Sequence, residues 1–146
     1  MKMIILFGTE TGNAEMVADD VAEALGADYP TVVRDMSAFD PSELKADDFH
    51  LVICSTYGDG ELPNSAQPFF AALQQQRPDL RGLRFAAFGL GDSFYQTFNR
   101  GSQLIADALK QLGATQVGEH GQHDASSGEL PGDVALAWTR TLLGQL

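Results

Sequence analysis

Five apolar residues in a row, Met3-Ile4-Ile5-Leu6-Phe7, run into a glycine-bounded loop, Gly8 to Gly12, and then into an amphipathic stretch. A strand of this kind has no polar face. Both of its sides must be covered, as in a parallel sheet with helices above and below. After the loop, Val17, Val21 and Leu25 recur at four-residue spacing beside Ala14, Ala18 and Ala24, which predicts a helix from Asn13 with Gly26 as its stop.

The alternation continues along the chain. Thr31-Val32-Val33 predicts a short second strand, and Asp40-Pro41 a helix start with Pro41 in its first position. Phe49 to Cys54 reads as a third strand, apolar except for His50. Ser65 or Asn64 is expected to cap a helix carrying Phe69, Phe70 and Leu73, and Leu83 to Phe88 forms a fourth strand interrupted by Arg84. A further helix presents Leu104, Ile105, Ala108, Leu109 and Leu112 before the stop at Gly113. A brief strand near Gln116-Val117-Gly118 follows, then a final helix after Pro131 that turns Val134, Trp138 and Leu142 inward. Five strand–helix pairs without repeat or linker predict a single α/β domain over residues 1–146, a doubly wound parallel sheet with helices on both faces. Such sheets bind ligands at the carboxyl ends of their strands, which directs attention to the loops starting at Gly8, Ser55 and Gly89.

Composition narrows the function. The net charge of −11 argues against a nucleic-acid binder, which needs a basic face for phosphates. The acidity fits steering towards a basic partner and fits solubility alone equally well. No apolar run approaches the roughly 20 residues of a membrane span. Met1-Lys2 leads straight into the first strand, so neither a signal peptide nor a membrane association is expected, and the expected compartment is the cytoplasm. Cys54 is the single cysteine, at the end of an apolar run with no positive neighbourhood, and reads as a buried, inert thiol. His50 lies within a strand, and His120 and His123 are read as loop residues lacking a third ligand at recognisable spacing. No metal site is expected, and no catalytic residue is assigned.

The first loop reads Gly8-Thr9-Glu10-Thr11-Gly12-Asn13-Ala14. Free N–H groups at a helix start favour an anion, and Thr9, Thr11 and Asn13 add neutral donors. No Lys or Arg lies between Lys2 and Arg34, so neither a Walker loop nor a dinucleotide fingerprint is present. A merely capped strand–helix turn fits the same residues. The second loop, Ser55-Thr56-Tyr57-Gly58-Asp59-Gly60-Glu61, sets an amphipathic ring at its tip, suited to stacking on a planar ligand. The third, Gly89-Leu90-Gly91-Asp92-Ser93-Phe94-Tyr95 continuing to Phe98-Asn99, again joins glycines with aromatics, although Phe98 also reads as core packing. A phosphate cradle and two ring-bearing loops on one edge describe a site for a phosphorylated aromatic ring system.

At these three loops the sequence resembles the flavodoxin family, specifically its short-chain members of the MioC type, and the FMN domains of diflavin reductases. The resemblance covers nearly the whole chain and implies a five-stranded sheet of order 2-1-3-4-5. It implies that Thr9, Glu10, Thr11, Gly12, Asn13 and Ala14 enclose the phosphate of flavin mononucleotide (FMN). Tyr57 and Tyr95 would then sandwich the isoalloxazine ring. Ser55, Thr56, Gly58 and Asp59, with Leu90, Gly91, Asp92, Phe94, Phe98 and Asn99, would surround it, and the peptide after Gly58 would turn its carbonyl towards the flavin N5. Asp124 is placed beside the flavin by a looser match. Many relatives have a further hydroxyl where this chain has Asn13-Ala14, and the region after Val117 lacks the insertion of long-chain flavodoxins.

What the resemblance implies is a one-electron carrier, a monomer, docking through Asp59, Glu61 and Asp92 to a basic NADPH-dependent flavodoxin reductase and then to acceptor redox enzymes. A flavin-dependent quinone or nitro-compound reductase is the alternative, but no second cofactor fingerprint supports it. A response-regulator receiver would need acidic residues after the first strand and an Asp at the third. The chain has Gly8-Thr9 and Cys54-Ser55-Thr56 there.

Overall fold

The computed structural model describes residues 1–57, 60–91 and 100–146. The elements run β1 (Met3–Gly8), α1 (Asn13–Leu25), β2 (Thr31–Asp35), β3 (Phe49–Ser55), α2 (Gln67–Gln76), β4 (Arg84–Gly91), α3 (Arg100–Gln111), β5 (Thr115–Gln116), β6 (Gly121–Asp124) and α4 (Pro131–Leu143). The strands form one parallel sheet in the order β2-β1-β3-β4-β5, as expected, with β6 also paired to β4.

Period-two alternation divides the apolar strands between two cores. Met3, Ile5 and Phe7 of β1, with Phe49, Leu51 and Ile53 of β3, pack against Val17, Val21 and Leu25 of α1 and Ala135 and Leu142 of α4. Ile4, Leu6, Val52 and Cys54 face the other way, onto Phe69 and Leu73 of α2 and Ile105 and Leu109 of α3. Every residue of β1 is buried, whereas the edge strand β2 is half-buried throughout.

Three expectations need correction. Asp40-Pro41 starts a single 3₁₀ turn, Pro41–Glu43, instead of a helix. Asp40 and Glu43 form a complete capping box, but Leu44 returns to extended backbone, so the β2–β3 crossover carries two 3₁₀ turns and no α-helix. Neither Ser65 nor Asn64 caps α2. Ala66 holds that position without a side-chain bond, and Ser65 and Asn64 bond to the first loop instead. The fifth strand comes in two pieces, β5 beside Arg84-Phe85 and β6 beside Phe88–Gly91. His123 therefore lies in a strand, buried, with its Nε2 2.6 Å from the carbonyl of Glu129.

Candidate functional site

The register places Gly8 beside Cys54, Ser55 beside Leu90 and Gly91 beside Asp124. Residues predicted from four separate segments thus meet at one edge of the sheet. Gly8 ends β1 in a tight position, where an added Cβ would lie 2.8 Å from the Ala66 Cβ and 3.0 Å from the Cys54 sulfur.

Past Gly8 the chain closes on itself. The Thr9 N–H donates to Ser65 Oγ at 2.7 Å, and Thr9 Oγ1 accepts from the Gly12 N–H at 2.8 Å. The carboxylate of Glu10 reaches across to Asn64, accepting from its backbone N–H at 2.7 Å and its amide at 2.9 Å. Thr9 and Glu10 therefore shape the loop. What it presents comes from the next residues. Gly12 turns into the left-handed region at φ 98°, α1 begins at Asn13, and the side chains of Thr11 and Asn13 are exposed while Ala14 is buried. The N–H groups of Thr11, Asn13 and Ala14 bond to nothing among the described residues. Unpaired donors at the positive end of a helix dipole, in a stretch without a cation, suit the oxygens of a phosphate.

In the second loop, Tyr57 and Glu61 exchange two backbone hydrogen bonds of 2.8 Å and close the turn between them, with Gly60 at φ 98°. Tyr57 stands 47% exposed at this edge. Beneath it, the Thr56 N–H donates to the Leu90 carbonyl at 2.9 Å, so these two groups brace β3 against β4. Ser55 is half-buried at the end of β3, and the Leu90 side chain lies in the core with α1 and α4. Gly58, Asp59, Asp92, Phe94, Tyr95, Phe98 and Asn99 lie outside the described residues, and with them the Tyr57–Tyr95 sandwich.

Asp124 ends β6 opposite Gly91, at the same edge. Its carboxylate caps the 3₁₀ turn Ala125–Ser127, accepting from the Ser126 N–H at 2.9 Å and hydroxyl at 2.7 Å. Two supports went unread in the sequence. The Gly101 N–H, at the start of α3, donates to Thr56 Oγ1 at 2.9 Å, and an added Cβ there would collide with the Ser55 carbonyl oxygen. Ser102 Oγ, fully buried, lies 2.8 Å from His120 Nε2. Burial holds the His120 pKa below its usual value, Lys110 adds to this, and Asp107 opposes it. The one visible sign of this support was a glycine inside an otherwise helical pattern.

Cys54 is fully buried, and burial alone pushes its thiol up to about 12, in line with an inert side chain. No helix among the described residues is long and apolar enough to cross a membrane.

A family model described as Flavodoxin matches residues 5–138. The chain is similar to Protein MioC of Escherichia coli strain K12, at 36% identity over 135 residues, covering 92% of this chain and 90% of that protein. It is also similar to the inducible nitric oxide synthase of Mus musculus, at 34% identity over 129 residues, which are 88% of this chain and 11% of that enzyme. Among solved structures, a cysteine-to-serine mutant of flavodoxin from Pseudomonas aeruginosa superposes with a TM-score of 0.88 at 34% identity, covering 100% of this chain and 99% of that one.

Proposed function

The chain belongs to the flavodoxin family, and from that premise we propose that the loops at residues 9–14, 55–59, 90–99 and Asp124 hold a single FMN. It is an FMN-binding electron-transfer protein. The bound flavin supplies the redox chemistry by taking up and releasing electrons one at a time. The chain's own residues bind and orient it. Thr11, Gly12, Asn13 and Ala14 enclose the phosphate with uncharged donors, and Tyr57 covers one face of the ring. Thr56, held by Leu90 and Gly101, keeps the second loop in place. The observation that carries this reading is the set of N–H groups at Thr11, Asn13 and Ala14 left unpaired among the described residues, at the start of a helix and far from any cation in sequence. The same reading makes the protein a cytoplasmic, monomeric carrier that works between a basic NADPH-dependent reductase and acceptor enzymes.

The visible spectrum of the purified protein tests this directly. A yellow preparation that releases FMN on denaturation and turns blue on partial reduction is expected. An apoprotein that neither quenches FMN fluorescence nor takes the cofactor up refutes it. With NADPH alone the holoprotein should show no rapid turnover. Fast NADPH oxidation without an added reductase would make it an enzyme instead of a carrier.

A further inference from the structure

Two large apolar side chains stand where the fold gives no reason for them. Met16 of α1 is 67% exposed, and Leu130, just before α4, is 68% exposed. The buried face of α1 is Ala14, Val17, Ala18, Val21 and Leu25, so Met16 looks outward. Leu130 fills the N-cap position of α4 and makes no side-chain hydrogen bond there. Ser, Thr, Asp or Asn would stabilise the helix at that position, and leucine does not. An exposed leucine that also forgoes a cap breaks two local rules at once, which is the pattern of a position held for binding.

The two side chains are carried on elements that meet. Helices α1 and α4 pack side by side, and Gly132 lies so close to Asp20 that an added Cβ would come within 2.5 Å of Oδ2. Met16 is one helical turn before Asp20, and Leu130 is two residues before Gly132. Around the pair, Glu15, Asp19, Asp20, Glu129 and Asp133 are exposed. Residues 3–33 and 111–139 contain no Lys or Arg, so no cation from these segments offsets that charge.

We propose that Met16 and Leu130 form the apolar centre of a docking surface for a protein partner presenting a shallow apolar recess rimmed by lysines and arginines. A flexible methionine adapts to such a recess, and the carboxylate ring selects a basic rim. The same ring repels a second copy of this acidic chain and an anionic membrane. The patch begins within a turn of the first loop, so a partner seated there sits beside the cofactor edge. That the partner is a redox partner rests on the electron-carrier reading above.

The test compares wild type with Met16→Gln, Leu130→Ser and the double variant, following reduction of the holoprotein by a purified NADPH-dependent flavodoxin reductase in stopped flow. Unchanged FMN affinity, no loss of thermal stability and a second-order rate constant about tenfold lower in the double variant are expected, as for removal of an interface anchor. The ionic-strength dependence should persist, because no charge has been altered. An unchanged rate constant overturns the proposal. It is equally overturned if the wild type forms a concentration-dependent dimer, or binds anionic vesicles, and the double variant does not. Should the chain take up no FMN, the carrier reading fails on its own. Calorimetry of the protein as purified with the same reductase then decides the patch, with equal affinities for wild type and double variant overturning it.

Discussion

At Gly12 the backbone takes φ 98°, and nothing lies within 4 Å of where a Cβ would sit, so the position demands a conformation and not space. Gly101 is the reverse case: its φ is unexceptional, but a Cβ would run into the Ser55 carbonyl. Alanine at position 101 gains up to about 1 kcal/mol in helix propensity. It loses about 1–3 kcal/mol by forcing the start of α3 away from β3, and the collision wins. Gly101→Ala should therefore lower stability in urea and also weaken FMN uptake, because the Thr56 hydrogen bond goes with it. Gly12→Ala should cost about 1–2 kcal/mol of stability while also reducing FMN affinity. Urea unfolding and fluorescence titration check both variants, and a Gly101→Ala protein as stable as wild type would show that α3 is not held against Ser55. Gly12 was legible in the sequence because it ends a strand–loop signal. Gly101 was not, since nothing local reveals which backbone presses against a helical glycine. The same holds for Ser65 and Asn64, whose partners Thr9 and Glu10 lie more than fifty positions away.

Strands β1, β3 and β4 were readable because burial on both faces forces continuous apolar runs, and α1 because its stripe repeats every four residues. The second half of the fifth strand, β6, was not readable. Its residues, Gly-Gln-His-Asp, are polar or small, and pairing with β4 alone makes them a strand. A polar residue inside a legible strand has a different consequence. His50 in β3 lies between Ile4 and Phe85, fully buried, and among the described residues neither ring nitrogen makes a well-formed hydrogen bond. Burial lowers its pKa below 6.5, with the Arg84 backbone and Asp48 opposing to a smaller extent. The folded protein takes up this proton at a lower pH than the unfolded chain, which protonates near 6.5, so stability is complete above that pH and falls as the pH drops below it. His120 shifts in the same direction and adds to the slope. Asp40 and Asp79 have lowered pKa values and act only in more acidic solution. His50→Leu should flatten the decline below pH 6.5 without abolishing it. At about pH 7.5 it should be neutral or raise stability by about 1–3 kcal/mol, by removing buried nitrogens that lack well-formed hydrogen bonds. An unaltered pH profile would show that His50 does not carry the effect.

Twenty carboxylates face nine Lys and Arg residues across the molecule. The ion pairs among the described residues, Arg34–Glu43, Arg81–Asp79 and Lys110–Asp107, are all exposed and stabilise little. Most of the acidic charge is therefore unbalanced, and its field opposes any anion. FMN carries a phosphate monoester with close to two negative charges at neutral pH, roughly −1.5 to −2. Where a protein grips phosphate with Lys or Arg, added salt screens an attraction and weakens binding. Here the loop offers Thr11, Gly12, Asn13 and Ala14, and salt mainly screens the repulsion between the anion and the rest of the molecule. Between about 20 and 300 mM NaCl, the dissociation constant for FMN should therefore fall, by severalfold. Over the same interval, reduction by a basic reductase should slow, because that encounter depends on the attraction being screened. One salt titration thus strengthens cofactor binding while it weakens the encounter with the partner. An FMN affinity that weakens with salt would mean that a cation reaches the phosphate, and the uncharged cradle would then not be what holds the cofactor.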